Sequence, residues 1–278
     1  MRLGRVLYDN RIWLARFHDL EVALLLEESS HPAADAVREA LATGADLDVA
    51  GLRVPADAVT VLAPLANPSK IIAVGLNYRL HADEAQMETS PAPLLFAKTP
   101  NTVLGADVEL IVTAGSTAQL DYEGEMAAII GLEASRVPIA TALDHVFGYT
   151  VSNDVSARDA QFADGQWTRG KSFDGFCPLG PWLVTANEIG DPQSLELSTF
   201  VNGIEQQRAS TGAMIFPVAE LVSYISQTIT LVPGDVILTG TPDGVGFAQD
   251  PPLFLTDGDE VAVTVERIGT LRNTIRVV

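Results

Sequence analysis

DYEGEMAAIIG, residues 121–131, opens with polar side chains, runs into an unbroken apolar stretch and stops at a glycine. A short apolar run bounded in this way predicts a buried strand. Side chains alternate along a strand, so Glu123 and Glu125 project from the same face, roughly 7 Å apart along the chain. Gly124 adds no side chain to the opposite face. Two like charges side by side are unfavourable unless a cation lies between them. A solvated strand edge accommodates Glu-x-Glu equally well, and the motif alone does not decide between the two.

The same grammar extends outward in both directions. KIIAVGLNY (70–78), VFGYTVSND (146–154), PWLVTA (181–186), LELSTFVNG (195–203), GDVILTG (234–240) and DEVAVTVERIG (259–269) are short apolar runs closed by turn residues, and each predicts a strand. Two helices are expected in this part, around 79–87 and over FPVAELVSYISQ (216–227), which has Pro217 at its start. Before residue 66 the pattern changes. RVLYDNRIWLARF (5–17) reads as a hairpin turning at Asp9-Asn10, and HPAADAVREALATG (31–44) as a helix stopped by Gly44. LAPLANPSK (62–70) reads as a linker. The expectation is a small N-terminal α/β domain over 1–66 and a larger β-rich domain over 67–278, in an α+β fold.

The chain has 278 residues, with 22 glycines, 16 prolines and few aromatic residues, which favours many turns and short strands over a helix bundle. Its net charge is −19, from 36 acidic and 17 basic residues. Such a surface repels phosphate backbones and anionic membranes, so neither nucleic acid nor a membrane is the expected partner. An acidic small molecule would be repelled too, unless a bound cation or a basic cluster reversed the local sign. Cys177 is the single cysteine, so no internal disulfide forms, and the first residues lack a signal-peptide core. These features suit the cytoplasm.

Asp154 ends an apolar run, where a rigid strand aims a side chain and the following turn exposes it. With Glu123 and Glu125 it would complete an all-oxygen site for Mg²⁺, Mn²⁺ or Ca²⁺ rather than zinc or copper; a turn-capping Asp is the other reading. His81 and Glu84 share one helical face at i, i+3 spacing, as a general base and its orienting carboxylate or as a surface ion pair. The remaining histidines, His18, His31 and His145, read as structural. Lys171 and Arg158 are candidate partners for a substrate carboxylate, although an exposed lysine explains Lys171 as well. The glycine-rich turn LTGTPDGVG (238–246) offers backbone N–H groups as an anion nest but lacks a nucleotide-binding pattern. Cys177, with no base beside it, reads as a core thiol.

Six ordered segments together resemble the fumarylacetoacetate hydrolase family over about residues 70–275: KIIAVGLNYRLHADE, DYEGEMAAIIG, GYTVSNDVSARDAQ, RGKSFDGFCPLGPW, LSTFVNGIEQQR and PGDVILTGTPDGVG. The resemblance implies that Glu123, Glu125 and Asp154 bind Mg²⁺ or Mn²⁺. It also implies that His81 and Glu84 activate water from a lid helix, and that Lys171, Arg158, Gln161 and Thr241 contact substrate or stabilise its charge. A mixed β-roll, a homodimer and a small oxo-acid substrate are expected with it. The implied reaction is hydrolysis of a carbon–carbon bond in a 2,4-dioxo acid. Oxaloacetate decarboxylation, or isomerisation and decarboxylation of a 2-hydroxyhepta-2,4-diene-1,7-dioate, are alternatives on the same site, and a non-catalytic metal-binding protein is a remote one. Arg79-Leu80 departs from the Ala-Asp of many relatives and adds positive charge beside the lid helix.

Overall fold

The strand Gly124–Ile130 is buried at every position, so it must be covered on both faces. The computed structural model describes residues 1–18, 20–27, 35–47 and 51–278, and in it two layers provide that cover. Met126, Ala128 and Ile130 point into one apolar cluster with Leu197, Val201, Val261 and Val263. Ala127 and Ile129 point into another with Leu14, Val37, Leu65, Leu179 and Leu183. The alternation read from 121–131 is thus an alternation between two cores rather than between core and water.

Gly124–Ile130 lies inside a large mixed sheet. It pairs antiparallel with Val146–Asn153 on one side and with Val236–Leu238 on the other. Beyond Val236–Leu238 the sheet continues through Ile71–Gly75, in parallel, to Leu94–Lys98. Beyond Val146–Asn153 it runs through Cys177–Thr185 to Arg2–Tyr8, Arg11–Phe17, Glu21–Glu27 and Leu52–Pro55. Arg2 and Leu3 pair with Val184 and Leu183, so the N-terminal strands extend the sheet of the larger part. A five-stranded sheet, Ile204–Ser210, Glu196–Val201, Glu260–Val265, Gly269–Val277 and Leu110–Val112, forms the second layer. This β-rich α+β arrangement of mixed sheets is the architecture expected from the sequence.

Local chemistry sets the element ends. Asp9 and Asn10 both take positive φ (49° and 55°), the two-residue turn that matches the twist of a hairpin. The helix Ala36–Thr43 is capped by Asp35, whose carboxylate accepts from Arg38 N, and stops at Gly44 with φ 63°. The first part of the helix read over 31–44, with His31, lies outside the described residues. Pro217 stands at the N-cap of Val218–Ser226. The helix near His81 is shorter than expected, Arg79–Glu84. Leu94–Lys98 is a strand the sequence reading does not include, because its apolar residues follow a proline-rich stretch that reads as loop. Among the described residues no helix is long and apolar enough to cross a membrane.

The two layers approach each other closely at Gly124. A Cβ there would lie 2.0 Å from Thr199 Oγ1 and 3.0 Å from Val263 Cγ1, both in the second sheet. Gly124→Ala is expected to destabilise the fold by about 1–3 kcal/mol through overpacking, read as a lower urea midpoint at unchanged m-value. An unchanged midpoint would show that the sheets separate freely at this point.

Candidate metal centre

The antiparallel register pairs Gly124 with Asn153, so the residue before the first and the residue after the second face one another. These are Glu123 and Asp154. Asp154 N donates to Glu123 O at 2.8 Å, and Glu123 N donates to Asn153 Oδ1 at 3.0 Å, which ties the two strand ends together. Glu125, two residues along, adds the third carboxylate. One oxygen from each of the three lies within 4.8 Å of the others, and all three residues are buried. The two readings left open for Glu-x-Glu separate here: a solvated edge does not fit residues 6% and 1% exposed.

Burial of several carboxylates together requires compensation. Lys171 Nζ donates to Glu123 Oε2 at 2.7 Å and to Asp154 Oδ2 at 2.9 Å. Lys98 Nζ donates to Asp154 Oδ1 at 2.5 Å and to Val155 O at 3.3 Å. Arg158 Nη1 lies 2.7 Å from Glu123 Oε1, and its Nε donates to Asp121 Oδ2 at 2.8 Å. Burial alone would push the Glu123 carboxyl up, but Lys171, Arg158 and His81 outweigh it and hold Glu123 at about 2. Glu125 behaves oppositely. Burial, Asp154 and Glu123 push its carboxyl well above the usual range, against the opposing pull of the Gly240 N–H and Lys171. That N–H, at 2.7 Å, is the hydrogen bond its side chain makes. A buried carboxyl with no cation hydrogen-bonded to it, beside two that are ion-paired, fits a divalent metal, and an all-carboxylate donor set fits a hard one.

The glycine-rich turn does bind anions, but they are the protein's own. Gly240 N donates to Glu125, Gly244 N donates to Glu84 Oε2 at 2.9 Å, and Gly246 N and Phe247 N donate to the two oxygens of Asp121. The nest expected for a ligand is therefore filled by side chains. Gly240 takes φ +98° and approaches Asn77 so closely that a Cβ would lie 2.6 Å from Asn77 Cβ, so the turn requires glycine there.

His81 Nδ1 is 2.8 Å from Glu84 Oε1. Because Glu84 is itself held by Gly244, the i, i+3 pair is anchored to the rest of the fold and is not a loose surface ion pair. A narrow cavity is lined by His81, Glu123, Arg158, Gln161, Lys171 and Thr241, together with Val74, Leu76, Met87, Phe96, Phe162, Trp167 and Phe247. Gln161 Oε1 accepts from Arg158 Nη1 at 3.0 Å, while Thr241 Oγ1 donates to Gly124 O and accepts from Gln207 Nε2. Arg158 Nη2 is buried without a hydrogen-bond partner. Glu84 stands behind His81 rather than in the wall. Arg79 turns outward to Thr89 Oγ1 and does not line the cavity. Burial pushes the Cys177 thiol up to about 12, in keeping with a core thiol.

Lys98 and Asp121 are absent from the sequence reading. Asp121 continues the alternation of Glu123 and Glu125 by one step, a signal that was available. Lys98 closes an otherwise apolar pentapeptide, LLFAK, and its burial follows only from strand pairing with Ile71–Gly75.

The model of the fumarylacetoacetate (FAA) hydrolase C-terminal family matches residues 70–276. A protein of Archaeoglobus fulgidus is 49% identical over 224 residues, 81% of this chain and 85% of its own. Oxaloacetate tautomerase Fahd2a, mitochondrial, of Rattus norvegicus is 42% identical, over 80% of this chain and 71% of its own. Among solved structures, the fumarylacetoacetate hydrolase of Exiguobacterium antarcticum is 37% identical with a TM-score of 0.88, covering 100% of both chains. The 5-carboxymethyl-2-hydroxymuconate delta-isomerase of Mycobacterium smegmatis is 39% identical with a TM-score of 0.81, covering 100% of this chain and 99% of its own. A family match over three quarters of the sequence and whole-chain structural likeness agree with the carboxylate geometry: this chain belongs to the fumarylacetoacetate hydrolase family.

Proposed function

We propose that the chain is a divalent-metal-dependent enzyme that acts on short 2-oxo acids through their enols, with keto–enol interconversion of an oxaloacetate-like diacid as its first reaction. The observation that carries this reading is a single cavity wall holding a proton-transfer group, His81, two cations, Arg158 and Lys171, and the carboxylate of Glu123. Relatives named as a tautomerase and as an isomerase support it, since both names describe moving a proton along a chain of conjugated carbons and oxygens. Mg²⁺ or Mn²⁺ held by Glu123, Glu125 and Asp154 would supply a Lewis acid for the 2-oxo and carboxylate oxygens of the substrate.

The protein side chains do the rest. Arg158, with Nη2 free of a hydrogen-bond partner, receives a substrate carboxylate. His81, held at Nδ1 by Glu84, takes a proton from the carbon beside the 2-oxo group and delivers it to the oxygen that becomes the enol hydroxyl, and the reverse reaction carries it back to carbon. Lys171 offsets charge on the oxygen that becomes the enol. The apolar wall of Phe96, Phe162, Trp167 and Phe247 keeps water from the reacting atoms.

Hydrolysis of a 2,4-dioxo acid, of the acylpyruvate or fumarylpyruvate type, is the second reading, and the anchored His81–Glu84 pair favours it. Here His81 takes its proton from water, whose oxygen adds to the distal carbonyl carbon. The carbon–carbon bond breaks with its electron pair passing to the pyruvate fragment, which gains a proton, and the other fragment leaves as a carboxylic acid.

Glu123→Ala is expected to lower Mg²⁺-dependent turnover by at least about 100-fold, measured in chelator-treated protein resupplied with Mg²⁺ on a panel of oxaloacetate, acylpyruvates and fumarylpyruvate. Full activity on any of these substrates after that change would sink the metal assignment. For His81→Ala, kcat on the preferred substrate should fall about 10²–10⁴-fold while Mn²⁺ binding is retained. Retained tautomerisation together with lost hydrolysis would instead make the second reading the one that uses His81.

A further inference from the structure

Lys98 has no place in the cavity wall, yet its side chain is fully buried and ends on the carboxylate of Asp154. Its ammonium takes Oδ1 at 2.5 Å while Lys171 takes Oδ2 at 2.9 Å, so Asp154 is gripped from both sides. The other two carboxylates are held as well, Glu125 at Oε2 by Gly240 N, and Glu123 at Oε1 by Arg158 Nη1 and at Oε2 by Lys171 Nζ. Ca²⁺ takes six to eight oxygens and commonly claims both oxygens of a carboxylate, whereas Mg²⁺ demands a near-octahedral set with fewer protein ligands. An ammonium fixed on Oδ1 opposes two-oxygen binding twice, by occupying a lone pair and by repelling a cation that moves toward that oxygen. Arg158 and Lys171 both line the cavity, so of the three cationic side chains on these carboxylates Lys98 is the one removed from substrate.

We propose that Lys98 is a positioning residue that sets the cation preference of the centre: it keeps Asp154 a one-oxygen ligand and so favours Mg²⁺ or Mn²⁺ over Ca²⁺. The inference rests on the assignment of Glu123, Glu125 and Asp154 as ligands. Its test is a titration of the whole chelator-treated chain with Mn²⁺, followed by electron paramagnetic resonance of the free ion, with Ca²⁺ as competitor. The unchanged chain should hold Mn²⁺ with a Kd at least about 10-fold below that for Ca²⁺. In Lys98→Met the ratio of the two constants should narrow by about 5-fold or more, whatever happens to both affinities in common. A merely structural role would weaken both ions alike, and a merely electrostatic one would strengthen both alike. An unchanged ratio in the variant therefore overturns the proposal while leaving the ligand assignment standing. Lys98→Gln, which keeps a donor without the charge, gives an independent reading of the ratio if the Met variant does not fold. Equal affinity for the two ions in the unchanged chain overturns the proposal without any variant. Binding of neither ion overturns the ligand assignment and the proposal together.

Discussion

Asp121, Glu123, Glu125 and Asp154 are buried together where two sheets meet, and keeping four carboxylates out of water is the constraint around which the site is arranged. The effective penalty for moving an ion out of water is several kcal/mol, recovered only with good geometry and satisfied lone pairs. Three cationic side chains face the group, Lys98, Arg158 and Lys171, each buried and each bridging at least two acceptors. Backbone N–H groups of one glycine-rich turn supply further donors. With Glu125 ionised, four carboxylates face three cations and the group carries one surplus negative charge, which a divalent ion at the proposed site would offset. Under the proposed reading this also reconciles a chain of charge −19 with an anionic substrate, because buried cations and a metal, rather than the surface, would set the local field.

The glycine-rich turn has a wider part than a ligand nest would have. Through Gly240 it fixes Glu125, through Gly244 it fixes Glu84 and hence His81, and through Gly246 and Phe247 it fixes Asp121 and hence Arg158. The proposed metal ligand, proton-transfer pair and carboxylate clamp are thus referenced to one short segment. Residues supported in this way act as a unit, and energetic effects within such a unit are not additive.

How much was legible in the sequence follows from which contacts are local. The hairpin at Asp9-Asn10, the helix ended by Gly44 and the strand over 124–130 are set by turn chemistry and by short apolar runs, which neighbouring residues encode. Glu123 and Glu125 are two residues apart, so their shared face could be read directly. Asp154 joins them through the pairing of Gly124 with Asn153, a relation between distant segments, and the family resemblance supplied what the spacing could not. Lys98 stayed hidden for the same reason: its partner lies 56 residues away, and nothing in LLFAK distinguishes a buried lysine from one at a strand end. The glycine-rich turn was read as anion-binding, which its conformation supports, but identifying the anions required the tertiary structure.

The division of labour within the cavity wall has an evolutionary consequence. The charged apparatus hangs on the sheet ends and on one glycine-rich turn, all cross-linked by hydrogen bonds, whereas most of the apolar lining comes from elsewhere. Met87 follows the His81 helix, Phe162 and Trp167 belong to the helix and turn after Arg158, and Phe96 stands on the strand leading to Lys98. Exchanges at Met87 and Phe162 leave every hydrogen bond of the carboxylates, His81 and Glu84 in place, whereas Phe96, whose ring centroid lies 5.2 Å from Lys171 Nζ, is the more constrained position. Duplicated copies of such a gene can drift toward new tails on the substrate while the head-group chemistry stays fixed, so diversification within this scaffold should be recorded in the lining and not in the carboxylates.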